Sequence, residues 1–81
     1  MLSTRQYLKQ LDKRTLKKLF ELAELSEEEY WLVTYAFIER RMRENTCIKL
    51  GIGTNKYHTM LNQALIKIEF VIRQLDKVRT L

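Results

Sequence analysis

The chain has 81 residues, 46% of them apolar and 31% charged, with 15 Lys/Arg against 10 Asp/Glu and a formal net charge of +5. That length allows one domain, with a core small enough to make dimerisation an expectation, and the apolar content argues against a disordered chain. No proline, two glycines and one cysteine exclude an internal disulfide, make an all-α fold the simplest reading and suit a reducing cytoplasm.

From Ser3 or Thr4 as N-cap, Tyr7, Leu8, Leu11, Leu16, Leu19, Phe20 and Ala23 form an apolar stripe at helical spacing. The irregular step from Leu11 to Leu16, beside the capping candidates Asp12 and Thr15, leaves open one helix to about Glu24 or two with a break near Asp12. Arg5, Lys9, Lys13, Arg14, Lys17 and Lys18 cover the outer face, either as a solvated surface or as phosphate contacts. Ser26 to Glu29 spells a capping box, with three glutamates at the positive end of the helix dipole. The helix that follows carries Trp31, Leu32, Tyr35, Ala36 and Ile38 nearly all round, is predicted to be the most buried, and ends near Arg40 or Arg41. Tyr30, Trp31, Tyr35 and Phe37 read as core, with nucleobase stacking as the alternative. The longest apolar run, Tyr30 to Ile38, is far short of the roughly 20 residues that cross a bilayer. The first residues lack the pattern of a signal peptide.

Both glycines, Gly51 and Gly53, fall between two helical patterns. Arg43 to Leu50 reads as a short helix, Gly51-Ile52-Gly53 as a tight turn, and Thr54 onward as a longer helix, which is the arrangement of a DNA-reading helix-turn-helix. Gly51 supplies the positive φ at the helix end, Cys47 the small residue where the two helices approach, and Ile52 an apolar plug. In the second helix Tyr57, Met60 or Leu61, and Ala64 point inward. Thr54, Asn55, Lys56, His58, Thr59, Asn62 and Gln63 then point outward, a face of hydrogen-bonding residues without a carboxylate. Charge is uneven in the same sense: residues 1–39 hold six Lys/Arg against seven Asp/Glu, a balance of −1, and residues 40–81 hold nine against three, a balance of +6. A basic surplus at the reading unit suits a polyanion.

The last helix is predicted from about Thr54 to Val78 or Arg79. Tyr57, Leu61, Ala64, Ile68, Val71, Leu75 and Val78 alternate steps of four and three, a heptad seam. About 25 residues at 1.5 Å each make about 38 Å, more than the reading unit covers. The stretch from Phe70 to Leu81 therefore needs a partner, either the N-terminal helix folding back or another subunit. Ile68, Val71, Ile72, Leu75 and Val78 are the candidate seam, and Leu65 and Ile72 widen it. Catalysis lacks raw material: with His58 and Cys47 the only members of their types, neither a zinc site nor a nucleophilic triad is supported. Neither enzymatic activity nor a metal or cofactor is expected.

The residues Leu25-Ser26-Glu27-Glu28-Glu29, Phe37-Ile38, Leu50-Gly51-Ile52-Gly53, Tyr57, Leu61, Ala64-Leu65 and Lys67-Ile68 resemble region 4 of sigma factors, over about half the chain. The resemblance implies a helix-turn-helix that reads promoter DNA as part of RNA polymerase, in a form similar to small phage or mobile-element regulators. Thr46, Cys47 and Gly53 stand where the family has isoleucine, alanine and a capping serine. Asn55, His58 and Thr59 also depart from its recognition helix, so its promoter specificity is not implied. The sigma domain that melts promoters is not expected in this chain, which reads as a free-standing regulator.

The resulting expectation is a single all-α helix-turn-helix domain, residues 1–81, of four to five helices, with the reading unit at about 43–63 and the C-terminal helix at about 54–79. It is expected to bind double-stranded DNA as a homodimer and to regulate transcription. Thr54, Asn55, Lys56, His58 and Thr59 face bases; Arg40, Arg41, Arg43, Lys49, Asn62 and Gln63 hold the backbone. The alternative is an interaction module that uses the same fold on RNA polymerase, a sigma factor or a host defence protein.

Overall fold

The computed structural model describes residues 3–79, and side chains as far as residue 75. Five α-helices follow one another: α1 (Thr4–Lys9), α2 (Lys13–Leu22), α3 (Glu27–Val33), α4 (Arg43–Leu50) and α5 (Thr54–Arg79), with a π-helical turn, Thr34–Ile38, prolonging α3. The fold is all-α, a helix-turn-helix domain with a long C-terminal helix.

Local caps explain the first boundaries. Ser3 and Gln6 form a reciprocal capping box that starts α1, with Ser3 Oγ accepting the Gln6 N–H at 3.2 Å. The two-helix alternative holds for the N-terminal stripe, because the Asp12 carboxylate accepts the Thr15 N–H at 2.7 Å and opens a second helix. Hydrogen bonding from the Thr15 side chain, and after it from the Thr15 N–H, also holds the Asp12 carboxyl below the usual aspartate range. Glu24 closes α2 in the left-handed region at φ 53°. At Ser26 the capping box read from the sequence is present, with the Glu29 N–H donating to Ser26 Oγ at 3.2 Å and the Ser26 N–H to Glu29 Oε1 at 2.9 Å.

The helix after it departs from expectation. Its α-helical pattern stops at Val33; the Glu39 N–H then reaches back five residues to the Thr34 carbonyl at 3.0 Å, and the Arg41 N–H to the Tyr35 carbonyl at 2.8 Å. Such widening admits one extra residue per turn, and Arg40 leaves it at φ 54°. The segment is also not buried all round. Leu32, Val33 and Phe37 enter the core, with Phe37 packed 6.4 Å from Phe20 between ring centroids, but Trp31 is 42% exposed. The four aromatics therefore do not share one role: Phe37 is core, Tyr30 is half-buried against it, Tyr35 is half-buried, and Trp31 faces solvent.

The helices α1 to α4 all pack on α5, which sets the 44 Å long axis of a molecule only 23 × 20 Å across. Leu8, Leu16, Leu19, Phe20, Leu32 and Val33 meet Tyr57, Leu61, Ala64 and Ile68 in one core. Folding back of the N-terminal helix is thus realised, and it covers part of the seam. Ile68 is fully buried within the chain itself, Val71 and Ile72 are half-buried, and Phe70 and Leu75 remain exposed. The proposed seam residue Val78 lies outside the described side chains. One long-range ion pair ties the layers together: Lys67 Nζ on α5 is 2.7 Å from Glu29 Oε1, a carboxylate whose residue is only 4% exposed. No helix among the described residues is long and apolar enough to cross a membrane.

Candidate nucleic-acid interface

The turn between α4 and α5 is built as its glycines suggest. Gly51 adopts φ 66°, its N–H reaches the Ile48 carbonyl at 3.3 Å, and the Ile52 N–H reaches the Cys47 carbonyl at 3.0 Å. These two bonds satisfy the last carbonyls of α4 in a Schellman motif, with Ile52 packed partly against the core. The small residue under the turn is not the one expected. Thr46 is fully buried and the sole buried residue of α4, whereas Cys47 is half-buried. A threonine is tolerated there because its hydroxyl donates to the Met42 carbonyl at 3.3 Å, one turn back.

The start of α5 presents the polar face. Tyr57, Met60, Leu61 and Ala64 are buried, while Thr54, Asn55, Lys56, His58, Thr59, Asn62 and Gln63 are all exposed. At 100° per residue, Asn55, Thr59 and Asn62 lie opposite the buried row, Thr54 and His58 lie to one side, and Lys56 and Gln63 to the other. The Thr59 hydroxyl donates to the Asn55 carbonyl at 3.1 Å, which fixes its rotamer and leaves its methyl outward. His58 meets Tyr57 edge to face, 5.5 Å between centroids. The central row carries amides and a hydroxyl but no acid, the chemistry that reads base edges.

Two N-terminal turns bracket this face. Ser3, Thr4 and Arg5 of α1 line a groove with Asn62, Leu65, Ile66 and Glu69, while Ser26, Glu28 and Glu29 line another with Lys56, Met60, Gln63 and Lys67. On the second side Lys56 Nζ is 3.9 Å from Glu28 Oε2, a loose pair that lowers the positive charge available at Lys56. On the first side the Tyr57 phenol is informative. Burial pushes its pKa up, while the nearby charges of Arg5 and Arg43 oppose the shift. Arg5 thus comes close enough to α5 for its charge to act on Tyr57, in the groove it lines with Asn62, a place that its position on the outer face of the first helix does not suggest. Helical periodicity carries no sign of it, since only the docking of α1 on α5 brings Arg5 there.

The expected backbone anchors are not gathered on one surface. Arg43 Nη2 pairs with Glu44 at 3.2 Å beside the first turn of α4, and Arg40 is exposed on its left-handed backbone. Arg41 and Lys49 converge elsewhere, their charged groups 5.6 and 5.9 Å from the Tyr35 ring centroid, with Arg41 Nε also 2.7 Å from Glu39. Their charges belong to the aromatic surface of α3 and the π turn.

The geometry defines a class, an all-α helix-turn-helix domain whose second helix extends well past the turn that precedes it. Comparison with family models, curated proteins and solved structures finds no match.

Proposed function

We propose that the chain is a sequence-specific double-stranded DNA-binding protein that regulates transcription, with the start of α5 in the major groove. The observation that carries this reading is the exposed face from Thr54 to Gln63, seven outward residues that all hydrogen-bond and include no carboxylate. Asn55, Lys56 and Thr59 read bases, with Thr54 and His58 at one margin; Asn62, Gln63, Arg40 and Arg43 hold phosphates. A cytoplasmic regulator of phage or mobile-element type follows from the sigma-like residues Leu50-Gly51-Ile52-Gly53 and Tyr57, Leu61 and Ala64. Homodimerisation through the exposed distal part of α5, around Phe70 and Leu75, is part of the same proposal.

Selection from random duplexes, followed by sequencing of the bound fraction, is the direct test. Enrichment of one motif, with affinity falling at least about tenfold between 50 and 200 mM salt as several phosphate contacts require, is the expected result. Failure to enrich any motif, or binding that ignores salt, overturns the reading.

A further inference from the structure

Three local costs coincide in the ten residues after Trp31. The π turn Thr34–Ile38 replaces regular helix, Arg40 occupies the left-handed region at φ 54° without being glycine, and Thr34 Oγ1 is buried with no hydrogen-bond partner. Each is destabilising by itself, and such features persist where the surrounding structure uses them. Together they shape one surface. Trp31 and Tyr35 stack at 5.9 Å and 29°, Tyr30 meets Trp31 edge-on at 5.6 Å, and Arg41 and Lys49 close over the Tyr35 ring. Lys49 has no carboxylate partner among the described residues, and Trp31 is exposed.

We propose that this surface docks another protein through an amphipathic helix that sets an apolar side chain on Trp31 and a carboxylate against Lys49. Exposed Trp and Arg beside half-buried Tyr are residue types that protein interfaces concentrate, and the uncompensated ammonium of Lys49 asks for an acidic occupant. Nucleic acid fits less well. Glu39 holds the Arg41 guanidinium at 2.7 Å, which leaves Lys49 as the uncompensated cation over the ring, enough for one carboxylate but not for a run of phosphates. The two faces are distinct, so this docking stands whether or not α5 reads DNA.

Trp31 is the sole tryptophan, and its emission reports on the surface directly. The full-length protein is titrated with a synthetic helical peptide carrying leucine at helical spacing and glutamate between, with the same peptide carrying glutamine for glutamate, and with a short single-stranded oligothymidylate. The acidic peptide is expected to shift Trp31 emission saturably to shorter wavelength, and the glutamine peptide to bind about tenfold more weakly. By anisotropy of labelled acidic peptide, Trp31→Ala is expected to lose about tenfold in affinity while keeping its helical circular dichroism and its binding to duplex. If Trp31→Ala fails to fold, the emission titration of the wild-type protein decides. Unchanged emission with the acidic peptide, equal binding of the two peptides, a shift produced by the oligonucleotide instead, or a shift on raising protein concentration alone each overturns the proposal.

Discussion

Asn55 and Arg43 illustrate two different jobs for polar residues around one helix. Asn55 lies on the outermost row of α5 with its amide free to address a base edge, so Asn55→Ala is expected to relax discrimination at one base position by roughly 1–3 kcal/mol. Arg43 carries charge beside that helix, and Arg43→Ala is expected to weaken all duplexes alike and to reduce the salt slope by about one. Competition binding against single-position variants of the selected site, repeated across salt, separates the two; the same profile for both variants would count against the assigned roles. Glu29 has a structural job at the same scale. Burial pushes its carboxyl pKa up, but hydrogen bonds from Lys67 and Ser26 outweigh that and hold it below the ordinary glutamate value. A carboxyl lowered in the folded state contributes stability that is full above its unfolded pKa, about 4.3, and is lost as pH falls through the folded value. Glu29→Gln keeps an acceptor for Ser26 but leaves Lys67 a neutral partner, with an expected loss of about 1 kcal/mol near neutrality. Urea unfolding as a function of pH should show the two proteins converging in acid; a constant gap down to acid pH contradicts the linkage.

The two glycines of the turn, so alike in sequence, make opposite predictions. A β-carbon would meet no atom within 4 Å at either position, so packing does not distinguish them. Gly51 has φ 66°, and Gly51→Ala is expected to cost about 1–2 kcal/mol from backbone conformation alone. Gly53 has no positive φ and precedes the first residue of α5, with its carbonyl accepting the Tyr57 N–H at 3.0 Å. Gly53→Ser supplies a capping hydroxyl and is expected to add a few tenths of a kcal/mol. Thermal denaturation of both variants gives the signs, and a loss of stability in each would show that the turn is not built as described. The sequence placed this element well because a Schellman turn is local: six consecutive residues and one αL glycine decide it. The π turn was not legible, since Thr34 to Ile38 has the composition of ordinary apolar helix.

For the whole molecule, the open question of the heptad seam resolves into two parts. Ile68 is consumed by the chain's own core, so a change there is expected to unfold the domain instead of separating subunits. Phe70, 63% exposed, and Leu75 extend past the body packed by α1 to α4. If they pair two copies, Phe70→Glu should yield a monomer by sedimentation equilibrium with unchanged circular dichroism, and should weaken binding to paired half-sites more than to a single one. A wild-type protein that is already monomeric at micromolar concentration would remove dimerisation from the proposal. One rigid α5, about 39 Å long at 1.5 Å for each of its 26 residues, would then fix the half-site spacing.

The sequence by itself determined the α-helical class, the capping box at Ser26, the αL turn at Gly51, and which residues of early α5 face outward. Each rests on interactions within one or two turns, which residue type and spacing specify. Only the tertiary structure decided that Thr46 and not Cys47 lies beneath the turn, that Trp31 stays outside while Phe37 goes in, and that Arg5 arrives beside Tyr57. It also decided that Arg41 and Lys49 meet over Tyr35. Those placements depend on contacts between residues far apart in the chain, where many partners satisfy the same apolar pattern and the shape of the packed core selects one.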